Sequence, residues 1–163
     1  MPEPQLKYPD SHLHFVAVTA IIHKDGKYLI TKRSPNEKAF PNMWTVPGGR
    51  ISTEDYVNTD KGNLSAWYNA VETTLKREVK EEVDLEIENV KYLIDMALMR
   101  PDGVPVIVLS YYADYKSGEV KLDDESRDSA WVSPEEAGAY ELIEGIYEEI
   151  VIANQRFDIS NGN

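Results

Sequence analysis

The chain has no cysteine. That excludes disulfides, thiolate metal sites and a cysteine nucleophile, and it fits a reducing, cytoplasmic setting. Histidine is scarce. None of His12, His14 and His23 has a second ligand at metal-binding spacing, so all three read as surface or edge residues. Basic residues are outnumbered, 17 Lys and Arg against 29 Asp and Glu, for a net charge of −12. Such an excess excludes sequence-independent binding to DNA or RNA, whose affinity comes from neutralising phosphates. It also requires that any phosphorylated ligand arrive with cations between it and the protein. Long apolar runs are absent: the longest, residues 15–22, is too short to span a membrane. Residues 1–12 carry three prolines and no basic start, so no signal peptide is expected.

What is present is a globular composition, 42% hydrophobic and 10% aromatic over 163 residues. That length suits one domain with a three-layer core. Residues 1–12 read as a flexible tail and 158–163 as a frayed end, leaving a single domain over 13–157. Within it, residues 13–23 form an apolar, β-branched strand of the kind buried on both faces. Asp25-Gly26 turns the chain into a second strand over 27–33. MWTVPGGR (43–50) is a short strand running into Gly48-Gly49, where glycines let the backbone approach a ligand. Residues 51–62 are polar and read as an inserted loop. Strands over 86–99 and 104–115 form a hairpin about Pro101-Asp102-Gly103. An acidic loop, 121–128, precedes a short strand at 130–132. Ser133-Pro134-Glu135-Glu136 is a capping box, and apolar spacing gives a last helix over 141–155.

The stretch with the strongest chemistry is LSAWYNAVETTLKREVKEEVDL, residues 64–85. It reads as one helix started by Asn63 or Ser65. At ~100° per residue Leu64, Tyr68, Val71, Leu75 and Val79 share one stripe. Glu78 and Glu82 fall inside that stripe and Glu81 at its edge. A core-facing carboxylate costs several kcal/mol unless a positive charge meets it, and no Lys or Arg shares the face. A divalent cation is the simplest relief. The competing reading is a solvated acidic face with ordinary pairs such as Arg77 with Glu81.

Pro-Gly-Gly, a loop and a helix bearing Arg77-Glu78-Val79-Lys80-Glu81-Glu82-Val83-Asp84-Leu85 together resemble the Nudix box of the Nudix hydrolases, G-x5-E-x7-R-E-U-x-E-E-x-G-U with U apolar. Two departures stand out. Asp84 replaces the second glycine, and Gly49 to Arg77 is 14 residues longer than the box. Glu54, counted from Gly48, and Glu72 are candidates for the first glutamate. The resemblance implies an α/β (α+β) fold, a mixed β-sheet sandwiched between helices. It also implies hydrolysis of a diphosphate linkage in a nucleoside triphosphate or nucleoside diphosphate derivative, with Mg²⁺ or Mn²⁺. By the same resemblance, Glu78, Glu81 and Glu82 with a carbonyl of Gly48 or Gly49 hold metal. Glu78 bridges metals or takes a proton, Arg77 orients Glu78, and Glu125 supplies a further carboxylate. Arg33, Lys38, Trp44 and Arg50 flank the glycine turn as candidate substrate contacts. The expected partner is a small nucleotide. Homodimers occur in such families, but no residue here argues for one.

Two other readings of the same fold compete. Lys32-Arg33-Ser34, Lys38 and Trp44-Thr45 also look like the approach to the site in isopentenyl diphosphate isomerases, which use a cysteine this chain lacks. A non-catalytic nucleotide-sensing domain would lose the glutamates, and all three are kept.

Overall fold

The computed structural model describes residues 10–157. Most of the tail expected over 1–12 and the frayed end expected over 158–163 lie outside them. Seven strands form one mixed sheet: β1 (Phe15–Lys24), β2 (Lys27–Arg33), β3 (Trp44–Thr45), β4 (Gly48–Arg50), β5 (Glu86–Met99), β6 (Pro105–Ser117) and β7 (Ser126–Val132). The order is β3-β2-β1-β6-β5, with β4 on β1 and β7 on β2. The β1–β6 pair is parallel and the others are antiparallel.

Helices cover both faces. Val79, Leu75 and Val83 of α1 (Ala70–Val83) pack on Val18, Ala20, Ile22 and Leu29. On the other face Ile146, Ile150 and Ala153 of α3 (Ile146–Phe157) pack on Ile21, Tyr28, Ile30 and Tyr112, with Ala137 of the short α2 (Pro134–Ala137). Strand alternation makes this possible: Val18, Ala20 and Ile22 point one way and Ile21 the other. The architecture is the α/β sandwich that the sequence implies.

Three boundaries differ from the sequence reading by more than two residues. The α1 helix begins at Ala70, not near residue 64. Asn69 takes a left-handed conformation at φ 61° without a side-chain cap, and the Trp67 indole donates back to Thr59 O at 3.1 Å. That bond folds residues 59–67 on themselves, leaving Leu64 and Tyr68 exposed. The last helix starts at Ile146 because residues 141–143 bond to Trp44 instead: Trp44 N donates to Glu141 O and Ile143 N to Trp44 O, each at 2.9 Å. Finally, β7 starts at Ser126, taking in part of the expected acidic loop because β2 pairs with it through Arg33↔Ser126. Asp84 ends α1 in a left-handed conformation at φ 57°, its N–H on Lys80 O. An aspartate there does the capping that glycine usually does.

The sheet opens at β1. It pairs with β2 only at His23↔Tyr28 and Lys24↔Lys27, then exchanges that partner for β4 at Ala17, Val18 and Thr19. β2 meanwhile pairs with β3 and β7. The split between the two halves is where a site can form. Leu75 is fully buried against this framework, and Leu75→Ala is expected to cost about 2–5 kcal/mol, measured by urea unfolding.

Candidate active site

The split holds a cavity of about 200 Å³ lined by Thr19, Thr31, Arg33, Gly48, Gly49, Arg50, Glu82 and Glu125, among others. One glutamate of α1, Glu82, lines it, and a second, Glu78, lies against Gly49. Glu82 is 8% exposed, and its Oε2 accepts the Gly48 N–H at 3.3 Å. The Glu78 carboxyl occupies the space that a Cβ on Gly49 would need. Glycine is required at 49 for that close approach. Glu81 lies at the edge, its side chain 57% exposed.

Arg77 grips three carboxylates. Its Nε donates to Asp55 Oδ1 at 2.6 Å, Nη2 to Glu78 Oε1 at 2.9 Å and Nη1 to Glu81 Oε2 at 2.9 Å. Arg77 therefore both orients Glu78 and pairs with Glu81. Asp55, whose side chain is only 4% exposed, also accepts from Thr74 Oγ1 and Ser52 N, each at 2.8 Å. Burial pushes the Asp55 carboxyl up, but its hydrogen bonds from Arg77, Ser52 and Thr74 outweigh that and hold it below the usual range. Burial works against charge on Arg77, and the Asp55 and Glu78 carboxylates overcome it.

The carboxylate from this stretch that bonds Arg77 is Asp55, not Glu54 or Glu72. Glu54 is exposed, and Glu72 pairs with Lys76 at 2.9 Å. Counting x5 from Gly49 rather than Gly48 lands on Asp55, so the signal was available, masked by aspartate standing for glutamate. The extra residues follow Asp55, between it and α1. Thr19, Thr31 and Thr45 also line the cavity; nothing in their sequence context marked them.

The loop before β7 closes the site. Lys121 N and Asp123 N donate to Val83 O and Glu82 O at 3.0 and 3.1 Å, tying it to the end of α1. This sets Glu125 on the cavity wall beside Glu82. Burial pushes the Glu125 carboxyl up, as do Asp123 and Glu37, while Arg33 pulls it down. Burial likewise pushes Glu78 up, and Arg77 pulls it down. Glu82 is the extreme case. Burial drives its carboxyl from about 4.5 up to about 9; the Gly48 hydrogen bond opposes this, and Glu78, Glu125 and Asp123 add to it.

Of the candidate substrate contacts, Arg33 and Arg50 line the cavity. Arg33 is also tied to Ala39 O at 2.8 Å and Glu37 at 3.1 Å. Lys38 is exposed outside the lining. Trp44 packs with the α3-side core, edge-on to Tyr140 at 4.9 Å, a core position rather than a stacking platform in the cavity. Among the described residues no group of three or more acids or histidines is drawn together as a ready metal cage. Arg77 holds Glu81 aside, and Glu78 and Glu82 lie against the glycine strand.

Comparison with known proteins places the chain by sequence family and by fold. A family model for the NUDIX domain matches residues 13–151. The chain is 27% identical over 135 residues to the nucleoside triphosphatase NudI of Escherichia coli and Salmonella agona, covering 77% of this chain and 86% of the relative. Among solved structures, a MutT NUDIX hydrolase from Burkholderia pseudomallei superposes with a TM-score of 0.68 at 21% identity, covering 85% of this chain and 97% of that one. The NUDIX domain of Shewanella oneidensis NrtR, solved with ADP ribose, gives 0.68 at 18% identity, covering 92% and 94%. The chain belongs to the Nudix family and is an enzyme of that family's type, a hydrolase of phosphoanhydride bonds.

Asp55→Ala removes the anchor of Arg77 and is expected to cost about 10–100-fold in kcat, the usual scale for a group that orients a site residue; steady-state kinetics reads it. Glu82 binds its proton more tightly folded than unfolded. Without divalent metal, stability is therefore full at low pH and falls as pH rises from about 4.5 to about 9. Thermal melts in EDTA should show that slope, and Glu82→Gln should flatten it.

Proposed function

We propose that this enzyme hydrolyses a nucleoside triphosphate or nucleoside diphosphate derivative with Mg²⁺ or Mn²⁺, releasing a phosphorylated product. The observation that carries the reading is Glu82. It is buried beside other carboxylates and the Gly48 N–H, and no salt bridge reaches it among the described residues. A carboxylate so placed is costly unless a cation joins it. The donors around the cavity are hard oxygens, Glu78, Glu81 and Glu82 with a carbonyl of Gly48 or Gly49, which suit Mg²⁺ or Mn²⁺. When bound, such an ion neutralises phosphate oxygens and eases ionisation of the attacking water.

The chain's own residues do the rest. Arg77 keeps Glu78 turned toward Gly49. Glu125, with its carboxyl raised, takes the proton of the attacking water, since a base works best when its pKa nears the working pH. Arg33 and Arg50 meet the anionic end of the substrate. The likeness to nucleoside triphosphatases supports a nucleoside triphosphate as the first substrate to try, and a cytoplasmic location goes with that reading.

A panel of nucleoside triphosphates, nucleotide sugars, ADP-ribose, dinucleoside polyphosphates and coenzyme A, assayed with Mg²⁺ and with Mn²⁺, tests it. Phosphorylated product from at least one is expected. Binding without cleavage throughout would indicate a sensor, and rearrangement of a small diphosphate without hydrolysis an isomerase. Glu82→Gln is expected to lower kcat at least about 100-fold with no fall in melting temperature; wild-type turnover in that variant refutes the metal assignment. Glu125→Gln is expected to lower kcat about 10²–10⁴-fold with KM little changed.

A further inference from the structure

Glu149 of α3 is a further buried acidic residue, at 5% exposure, and the chemistry above does not use it. Its Oε1 accepts from Ser110 Oγ at 2.6 Å, and Ser110 Oγ lies 2.8 Å from Thr19 Oγ1. Ser110 and Thr19 are cross-strand partners on β6 and β1. Thr19 lines the cavity and is the β1 partner of Gly48. The three residues therefore form a polar chain from the interior under α3 to the cavity wall.

A serine hydroxyl has one hydrogen to give. With Glu149 ionised, Ser110 gives it to Glu149, and the Thr19–Ser110 bond then has Thr19 as donor. Thr19 then has no hydrogen left for the cavity and offers only a lone pair. We infer that the Thr19–Ser110–Glu149 chain makes Thr19 an obligate hydrogen-bond acceptor, selecting a nucleoside portion that presents an N–H or O–H donor beside the diphosphate. Ser110 and Glu149 are positioning residues acting through Thr19. The inference rests on the nucleotide-hydrolase reading and deepens it. The neighbouring wall fits such an occupant, because Ala17 leaves room and its β4 partner Arg50 also lines the cavity. Burial and Glu148 push the Glu149 carboxyl up while the Ser110 hydrogen bond pulls it down, so the assay belongs on the alkaline side, at about pH 8.5, where carboxylates ionise.

The test compares substrates that differ in one donor group: GTP with ITP, which lacks the 2-amino group, ATP with purine riboside triphosphate, which lacks the 6-amino group, and ribonucleoside triphosphates with their 2′-deoxy and 3′-deoxy forms. Wild type should favour the donor-bearing member of at least one pair by about tenfold, expressed in KM rather than kcat, as one hydrogen bond allows. Thr19→Val, Ser110→Ala and Glu149→Leu should each erase the preference, and Glu149→Gln, which keeps an acceptor oxygen, should retain it. Thr19→Val preserves shape at the cavity and decides the matter where Glu149→Leu fails to fold. No donor preference in wild type, or equal losses for both members of every pair, overturns the inference. If wild type cleaves no nucleotide, the hydrolase reading fails by itself; affinities for the same pairs, measured by calorimetry, then decide the acceptor role on the same criteria.

Discussion

The structure turns on one electrostatic conflict. Glu82 is fixed on the core-facing side of α1, and the charged side chains that act most strongly on it, Glu78, Glu125 and Asp123, are all acidic. A helix packed through Leu75, Val79 and Val83 cannot rotate to release it without giving up that burial. The apolar stripe thus holds the carboxylate where water and counter-charge are short. A partial answer is the Gly48 N–H. On the metal-dependent reading proposed above a cation supplies the rest, and the acidity of the whole chain fits that reading: at −12 the protein repels a polyphosphate that comes without one.

The sheet gives that conflict a place to act. Because β1 changes partner from β2 to β4, its central strand borders a gap instead of a continuous ladder. The glycines of β4 bring backbone to the gap's edge, and Glu78 fills the space beside Gly49. Arg77 spans the inserted loop and the helix through Asp55, Glu78 and Glu81, so the loop's first turn is part of the site's framework. Its remaining residues fold on Trp67, whose ring packs against Tyr56 at 5.4 Å and carries Lys61 Nζ at 4.6 Å.

Patterns that obey one period were legible in the sequence. The strand at 27–33, the hairpin over 86–99 and the inward aim of Glu78 and Glu82 follow from alternation or helical spacing. Boundaries set by tertiary contacts were not. Nothing local says that Trp67 will donate to Thr59 or that residues 141–143 will bond along Trp44, and those contacts overrode helix propensity at both helix starts. Asp55 was missed for another reason: the count began one glycine early, and the carboxylate that bonds Arg77 is one methylene shorter. Trp44 drew notice as an aromatic near the turn, but its register on β3 points it into the core. The cavity threonines sit in ordinary strand sequence, and only the folded arrangement links Thr19 to Ser110 and Glu149.

Manganese binding in the absence of nucleotide tests the central claim most directly. Free Mn²⁺ followed by electron paramagnetic resonance at about pH 7.5, with proton release recorded alongside, should show wild type taking up the ion and releasing about one proton as Glu82 ionises. The same titration of Glu82→Gln should show weak binding and no such release. Equal uptake by both proteins, without a proton from wild type, would contradict the account.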